Sequence, residues 1–219
     1  MTRRMMVKIT LLVLVGCLLA GCSIPLSFFS SSGEDDYAAA IEKGMDGDYL
    51  ASAELCAKAI EKGLTTTGED EVYNLMCSSY LNLDRYDEAI AAGEKALAIN
   101  AENYICWTNI GVANRQNGNY PRAIECYNKA LEINPDYPEV QSSLGTLHIL
   151  QGDPEMAVTY FEKAISLDPS LAVSHGNLAL ALAMMDDFEG AEKALKQAKA
   201  LGYQNYDVVQ ERIDALRGE

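Results

Sequence analysis

Small apolar residues recur along the chain at a fixed interval of 34 positions. Alanine pairs keep this register over four units without a slip: Ala89/Ala96, Ala123/Ala130, Ala157/Ala164 and Ala191/Ala198. Larger residues such as Trp107, Tyr127 and Phe161 stand between them. The pattern predicts two antiparallel helices per unit, in which small residues let the backbones approach and bulky residues fill the gaps. Because neither helix can bury its apolar face alone, the units are expected to stack.

The best-formed unit resembles the tetratricopeptide repeat family. It runs from Tyr104 to Tyr137 and carries Trp107, Ile110, Gly111, Ala123, Tyr127, Ala130 and Pro135 in the family's order. Residues 138–171 match similarly, 70–103 and 172–205 match more loosely, and a degenerate unit spans about 33–66. The resemblance implies an all-α, right-handed superhelical α-solenoid of about five helix hairpins. One further amphipathic helix from Tyr206 is expected to cap it.

The first residues have the pattern of an export signal. Arg3, Arg4 and Lys8 precede a mostly apolar stretch over 9–20, which is shorter than the roughly 20 residues of a membrane-spanning helix. Leu19-Ala20-Gly21-Cys22 then resembles the bacterial lipoprotein box, which implies lipidation of Cys22 and cleavage before it. An ordinary signal peptide with a coincidental cysteine is the alternative.

The chain is therefore expected to have four parts. Residues 1–21 form a signal peptide, and 22–36 form a lipidated cysteine with a Ser- and Gly-rich flexible tether. Residues 37–205 form the solenoid, and 206–219 form the capping helix and tail.

The balance of acidic and basic residues limits the classes of partner that the chain is expected to bind. The 219 residues carry 17 Lys+Arg against 32 Asp+Glu, a net charge of −15. A nucleic-acid phosphate backbone needs clustered basic residues, so the charge argues against nucleic acid. It favours a neutral or basic protein partner instead.

No pattern of catalytic, cofactor-binding or metal-binding residues stands out. His148 and His175 lack nearby ligand spacing, and no phosphate-binding loop or nucleophile motif is present. No small-molecule substrate is evident either. Four cysteines of the solenoid also lack zinc spacing: Cys56, Cys77, Cys106 and Cys126. A Cys56–Cys77 bridge and four reduced core thiols both remain open.

The tetratricopeptide resemblance implies a binding groove lined by the first helix of each hairpin. Position by position, it implies Asn74, Ser78, Asn109, Val112, Arg115, Ser142, Ser143, Thr146, Asn177 and Leu180 as groove residues. Asn109, Ser143 and Asn177 are 34 apart, so they could form a polar row that grips a peptide backbone. Small polar residues on a solvated helix face are the alternative interpretation.

Three functions follow in order. The first is a lipid-anchored scaffold or adaptor on the outer face of a bacterial membrane that binds envelope proteins. The second is an envelope enzyme that acts on cell-wall glycan through paired carboxylates. The third, a solute-binding lipoprotein, would need a two-lobed α/β fold, whose strand pattern is absent.

Overall fold

The computed structural model describes residues 32–218, and every regular element within that range is an α-helix. The helices are α1 (Gly33–Met45), α2 (Tyr49–Lys62), α3 (Glu69–Asn82), α4 (Tyr86–Ile99), α5 (Tyr104–Gln116), α6 (Tyr120–Ile133), α7 (Pro138–Gln151), α8 (Pro154–Leu167), α9 (Ala172–Met184), α10 (Phe188–Ala200) and α11 (Tyr206–Arg217). The all-α prediction is confirmed, and this described range contains none of the strands that a solute-binding α/β protein needs.

The helices form five consecutive hairpins, each packed on the next. We call the odd-numbered first helix of each hairpin helix A and the even-numbered second helix B. Each helix A also contacts helix A of the following hairpin, and α11 packs on α9 and α10 at the end of the stack. The predicted solenoid of five hairpins with a terminal helix is therefore confirmed.

Close helix approach at glycine explains the small residues of the repeat. A Cβ atom at Gly111 would lie 2.5 Å from the ring of Tyr127, and one at Gly145 would lie 2.7 Å from the ring of Phe161. Both rings are fully buried. In the last hairpin the equivalent pair is Ala179 and Leu195, where a smaller side chain leaves room for the extra methyl group.

The turns between helix A and helix B are built alike. Each has one residue with positive φ: Gly47 in the first hairpin and then, at 34-residue intervals, Asp84, Gly118, Gly152 and Asp186. A short polar side chain then caps most B helices, as where Asp153 accepts a hydrogen bond from the backbone N–H of Met156 at 3.2 Å. These local signals fix where each helix B begins.

The first helix begins earlier than the sequence predicted. Ser32 and Asp35 form a capping box, in which the Ser32 N–H donates to Asp35 Oδ2 at 2.9 Å and the Asp35 N–H donates to Ser32 Oγ at 3.3 Å. The predicted tether over 22–36 is therefore wrong for its last four residues, Gly33–Asp36, which are helical. Residues 1–31, including the predicted signal and Cys22, lie outside the described range.

The four solenoid cysteines are free and buried. Because Cys56 and Cys77 are both free, the Cys56–Cys77 bridge is not formed. Cys106 Sγ contacts the carbonyl oxygen of Gly93 at 3.3 Å. The thiols thus act as small core residues.

Candidate functional site: the helix-A face

A cavity of about 420 Å³ lies on the surface formed by the A helices, which we call the A face. Helices α5, α7 and α9 supply most of its wall, and the α10–α11 loop closes one end. Five of the predicted groove residues line it: Arg115, Ser142, Ser143, Thr146 and Asn177. The structure therefore brings half of the predicted set into one site.

The three residues of the predicted polar row, Asn109, Ser143 and Asn177, make different kinds of hydrogen bonds. Asn177 Nδ2 donates to Thr146 Oγ1 at 3.3 Å, and Asn109 Nδ2 donates to Asn74 Oδ1 at 3.2 Å. Ser143 Oγ donates within its own helix, to the carbonyl oxygen of Glu139 at 2.8 Å. Each asparagine thus bridges two neighbouring A helices. An amide has two donors and an acceptor, so part of its capacity stays available to a ligand.

Two predicted groove residues are largely removed from solvent. Leu180 is 8% exposed and packs in the core cluster that contains Val209 and Ile213 of α11. Ser142 is 6% exposed, and its carbonyl oxygen accepts a hydrogen bond from Thr146 Oγ1 at 3.0 Å. Leu180 therefore supports the terminal helix rather than presenting a side chain to a partner.

The remaining predicted residues lie on the A face outside the cavity. Asn74, Ser78, Asn109 and Val112 belong to α3 and α5 and are half-buried. Ser78 Oγ donates to the carbonyl oxygen of Leu75 at 2.9 Å, and Val112 packs against the core around Tyr127. This half of the face has the predicted residues but forms no part of the cavity.

Arg115 is the one basic residue in the cavity wall. Among residues 32–218, no carboxylate lies within ion-pair distance of it, and its Nε atom is buried without a hydrogen-bond partner. Its guanidinium lies near the phenol of Tyr127. Burial raises the pKa of Tyr127, while Arg115 and Ser143 act in the opposite direction. The cavity thus offers one positive charge to an approaching carbonyl or carboxylate group.

The residues that close the cavity are not among those predicted from the sequence. Glu139, Leu171, Val173, Tyr203 and Asn205 also line it. The ring of Tyr203 covers the start of α9, where a Cβ atom at Gly176 would lie only 2.4 Å from it. Tyr203 belongs to the loop before α11, at the position where the two preceding units have Pro135 and Pro169, so the repeat pattern gave no signal for an aromatic ring there. The pairing of Gly176 with a ring is the feature that a search for close approaches could have found.

Residues 32–218 contain no group of three or more potential metal ligands. Glu139 is the only carboxylate in the wall of the A-face cavity, so that cavity lacks the carboxylate pair that the glycan-hydrolase alternative needs. His148 stacks on Tyr160 with ring centroids 5.2 Å apart, and His175 Nε2 lies 3.0 Å from the carbonyl oxygen of Pro169. Both histidines therefore have packing roles.

No helix within the described range is long and apolar enough to cross a bilayer.

Family models match three consecutive segments of the chain, 70–103, 104–137 and 138–171, each described as a tetratricopeptide repeat. Residues 70–171 are three tetratricopeptide repeats. They correspond to the hairpins α3/α4, α5/α6 and α7/α8, and they include Arg115 and most of the cavity wall. A search of curated protein sequences found no match.

Several solved structures share this fold. A tetratricopeptide-repeat protein of Thermus thermophilus, TTC0263, is similar with a TM-score of 0.66 and 16% identity over 86% of this chain and all of that one. MamA is similar with a TM-score of 0.63 and 19% identity, covering 77% of this chain and 96% of its own. BtubC from P. vanneervenii has a TM-score of 0.66 and 24% identity over 77% and 78%. At these identities the likeness concerns the fold alone.

Proposed function

We propose that this tetratricopeptide-repeat protein is a scaffold that binds segments of other proteins on its A face. The observation that carries the proposal is the cavity, whose wall combines Ser143, Thr146 and Asn177 with the unpaired Arg115. Amides and hydroxyls bind peptide groups, which both donate and accept hydrogen bonds. A wall of this kind suits an extended segment that offers backbone groups along its length and one carbonyl or carboxylate group to Arg115.

The partner proposed is neutral or basic as a whole. The net charge of −15 would speed the approach of such a partner by long-range attraction and would repel acidic ones. Within the cavity, by contrast, the positive charge of Arg115 would attract a carbonyl or carboxylate group of the bound segment. The electrostatic part of the proposal predicts an association rate that falls as salt is added.

We further propose that the scaffold is anchored on the outer face of a bacterial membrane through lipid on Cys22 and binds cell-envelope proteins. This rests on the sequence alone: the basic residues Arg3, Arg4 and Lys8, the short apolar stretch, and Leu19-Ala20-Gly21-Cys22. Several acyl chains on one cysteine hold firmly, because each buried CH₂ contributes about 0.8 kcal/mol.

Site-specific photo-crosslinking tests the binding site. A photoreactive residue at Ser143, inside the cavity, is compared with one at Lys58, an exposed position on α2. We expect protein adducts in the native host at Ser143 that are absent at Lys58. Asn177→Ala together with Arg115→Gln should reduce these adducts without loss of helix content. Equal adducts at both positions, or adducts that the double variant leaves unchanged, would contradict the proposal.

Two cysteine variants test the anchor. Cys22→Ala removes the proposed lipid acceptor, and Cys17→Ala is the matched control, since it changes a cysteine of the segment to be cleaved. We expect the wild-type chain and Cys17→Ala to sediment with membranes and Cys22→Ala to be released or retained uncleaved. Mass spectrometry provides the direct measurement, which is the added mass of lipid on a peptide that begins at Cys22. Cleavage and membrane association unchanged in Cys22→Ala would refute the anchor and leave the peptide-binding proposal standing.

A further inference from the structure

A second cavity lies on the other side of the solenoid, among α8, α9 and α10. Its volume is about 490 Å³. Ile165 of α8, Leu178 and Leu182 of α9, and Ala194 of α10 give it an apolar lining. Along α10 it extends from Gly190 to Gln197, which is about 10 Å at the helical rise of 1.5 Å per residue. We call it the B-face groove.

The preceding repeat explains why this groove exists. Tyr160 and Met156 stand 34 positions before Ala194 and Gly190, and His148 stands 34 positions before Leu182. In that repeat the ring of Tyr160 stacks on His148 at 5.2 Å. In the last hairpin Ala194 stands in place of the tyrosine and Gly190 in place of the methionine. The last hairpin therefore lacks the ring that fills the equivalent space one repeat earlier.

The preceding repeat indicates which group would fill the groove of the last hairpin. An aromatic ring is the group that the fold itself places at the equivalent position. Burying such a ring over Leu182 would remove apolar surface from water on both partners. Pockets of several hundred cubic ångströms with apolar walls are typical of binding sites.

The backbone conformation of the occupant also follows from the walls. Helices α8, α9 and α10 use their own backbone groups internally. Of the polar side chains in the wall, Ser166 Oγ donates to the carbonyl oxygen of Lys163 at 2.7 Å, and His175 Nε2 lies 3.0 Å from the carbonyl oxygen of Pro169. The groove therefore offers an extended segment few partners for its N–H and C=O groups. A helix satisfies its own backbone. A groove of about 10 Å matches about two turns of a helix, and laying an apolar helix face into an apolar groove is a recurrent mode of recognition.

The charges at the rim give the occupant an orientation. Glu162 lies on the α8 wall and Lys193 on the α10 wall. Neither forms an ion pair with another residue of the described range. A helix with basic residues on the flank that faces α8 and acidic residues on the flank that faces α10 complements both walls.

We propose that the B-face groove binds an amphipathic helix of a protein partner, with an aromatic side chain seated over Leu182 and Ala194 and opposite charges on its two flanks. The A face and the B-face groove share α9 but use different sides of it, so the scaffold holds two protein segments at once. This site does not depend on the peptide-binding site proposed for the A face.

The test uses designed peptides and the full-length chain in mild detergent. The probe is a fluorescein-labelled, alanine-rich helix of about 15 residues with a central tyrosine, lysines on one flank and glutamates on the other. A second peptide has alanine for tyrosine, and a third has its flanks exchanged. By fluorescence anisotropy we expect the probe to bind at least about tenfold more tightly than either control peptide.

Ala194→Tyr is the decisive variant because it restores the side chain of the preceding repeat. We expect it to keep the helix content and to weaken probe binding by at least about tenfold. If Ala194→Tyr fails to fold, the double variant Glu162→Lys with Lys193→Glu tests the proposal instead. Because it reverses the charges on the two walls, it should bind the peptide with exchanged flanks more tightly than the original probe.

Several outcomes overturn the proposal. One is equal affinity of the wild-type chain and Ala194→Tyr for the probe, and another is no discrimination among the three peptides. Undetectable binding of the probe also overturns it. So does a methyl NMR titration in which Leu178 and Leu182 stay unchanged while Thr146 on the A face shifts.

Discussion

The Oε1 atom of Glu34 accepts a hydrogen bond of 2.8 Å from the backbone N–H of Thr66, 32 positions along the chain. The N–H groups of Thr65 and Thr67 point to the same oxygen, at 2.8 and 3.2 Å, and Thr67 Oγ1 donates to Glu34 Oε2 at 2.7 Å. Three successive backbone donors thus surround one carboxylate and fasten α1 to the loop before α3. The Thr67 hydroxyl, together with these backbone N–H groups, holds the pKa of Glu34 well below its usual range.

This contact makes the first hairpin sensitive to acid. Because the pKa of Glu34 is lower in the folded chain than in the unfolded one, its stabilising effect is complete above the unfolded pKa of about 4.3 and is lost as the pH falls below it. We expect amide hydrogen exchange in α1 to report faster opening, after correction for intrinsic rates, as the pH falls from about 5 to about 3. Glu34→Gln should open more readily at pH 7 and lose this part of the pH dependence. Glu42→Gln on the same helix is the control, and equal behaviour of the two variants would contradict the prediction.

Gly145 and Phe161 should behave as a coupled pair. Gly145→Ala forces a methyl group against the fully buried ring of Phe161, so we expect the free energy of unfolding to fall by about 1–3 kcal/mol. Adding Phe161→Leu recreates the Ala179/Leu195 pair of the last hairpin, so the double variant should be more stable than the sum of the single effects predicts. Chemical denaturation of the four proteins measures the coupling. Additive losses would show that the close approach is not what requires glycine.

The solenoid thiols should be unreactive until the chain unfolds. Burial raises the pKa of Cys56 and Cys106 to about 12 and that of Cys126 to about 11, and it raises the pKa of Cys77 as well. At pH 8 the thiolate fraction is therefore small, and iodoacetamide should label these positions only after denaturation. Peptide mass spectrometry separates them from Cys17 and Cys22. A Cys56–Cys77 peptide obtained without reductant would contradict the structure.

Tyr203 should couple the A-face cavity to the terminal helix. Its ring packs over Gly176 and against the core that holds Val209 and Ile213. We expect Tyr203→Ala to lower the free energy of unfolding by about 1–3 kcal/mol, since the ring is only half-buried, and to speed hydrogen exchange in α11. Tyr203→Phe, which keeps the ring, should change neither. An effect of Tyr203→Ala spread evenly over all helices would argue against this local role.

The repeat made most of the fold predictable. The spacing of Ala123, Ala130, Ala157 and Ala164 placed two hairpins in register, because small residues are required wherever two helix axes come close. The start of α1 was missed because Gly33–Asp36 lacks apolar spacing. Its signal is the capping pair Ser32 and Asp35, which acts through hydrogen bonds rather than through burial.

The candidate sites were less predictable, for two physical reasons. Leu180 occupies a groove position of the repeat, yet it is buried because α11 packs on it, and a pattern within one repeat carries no information about its neighbour. The B-face groove depends on what Gly190 and Ala194 lack relative to Met156 and Tyr160. The repeat pattern treats small residues as positions where helices come close, so it gives no sign that a large side chain is missing at Gly190 and Ala194.

Each hairpin of the solenoid contacts only the hairpins next to it and, at the end, α11. Load applied along such a stack is carried in series, so a pull on one terminus strains every junction between hairpins in turn. The weakest junction yields first and exposes the core that its two hairpins share, as between Tyr127 of α6 and Leu144 of α7. Tension along the described part of the chain would therefore open the stack stepwise, one junction between hairpins at a time.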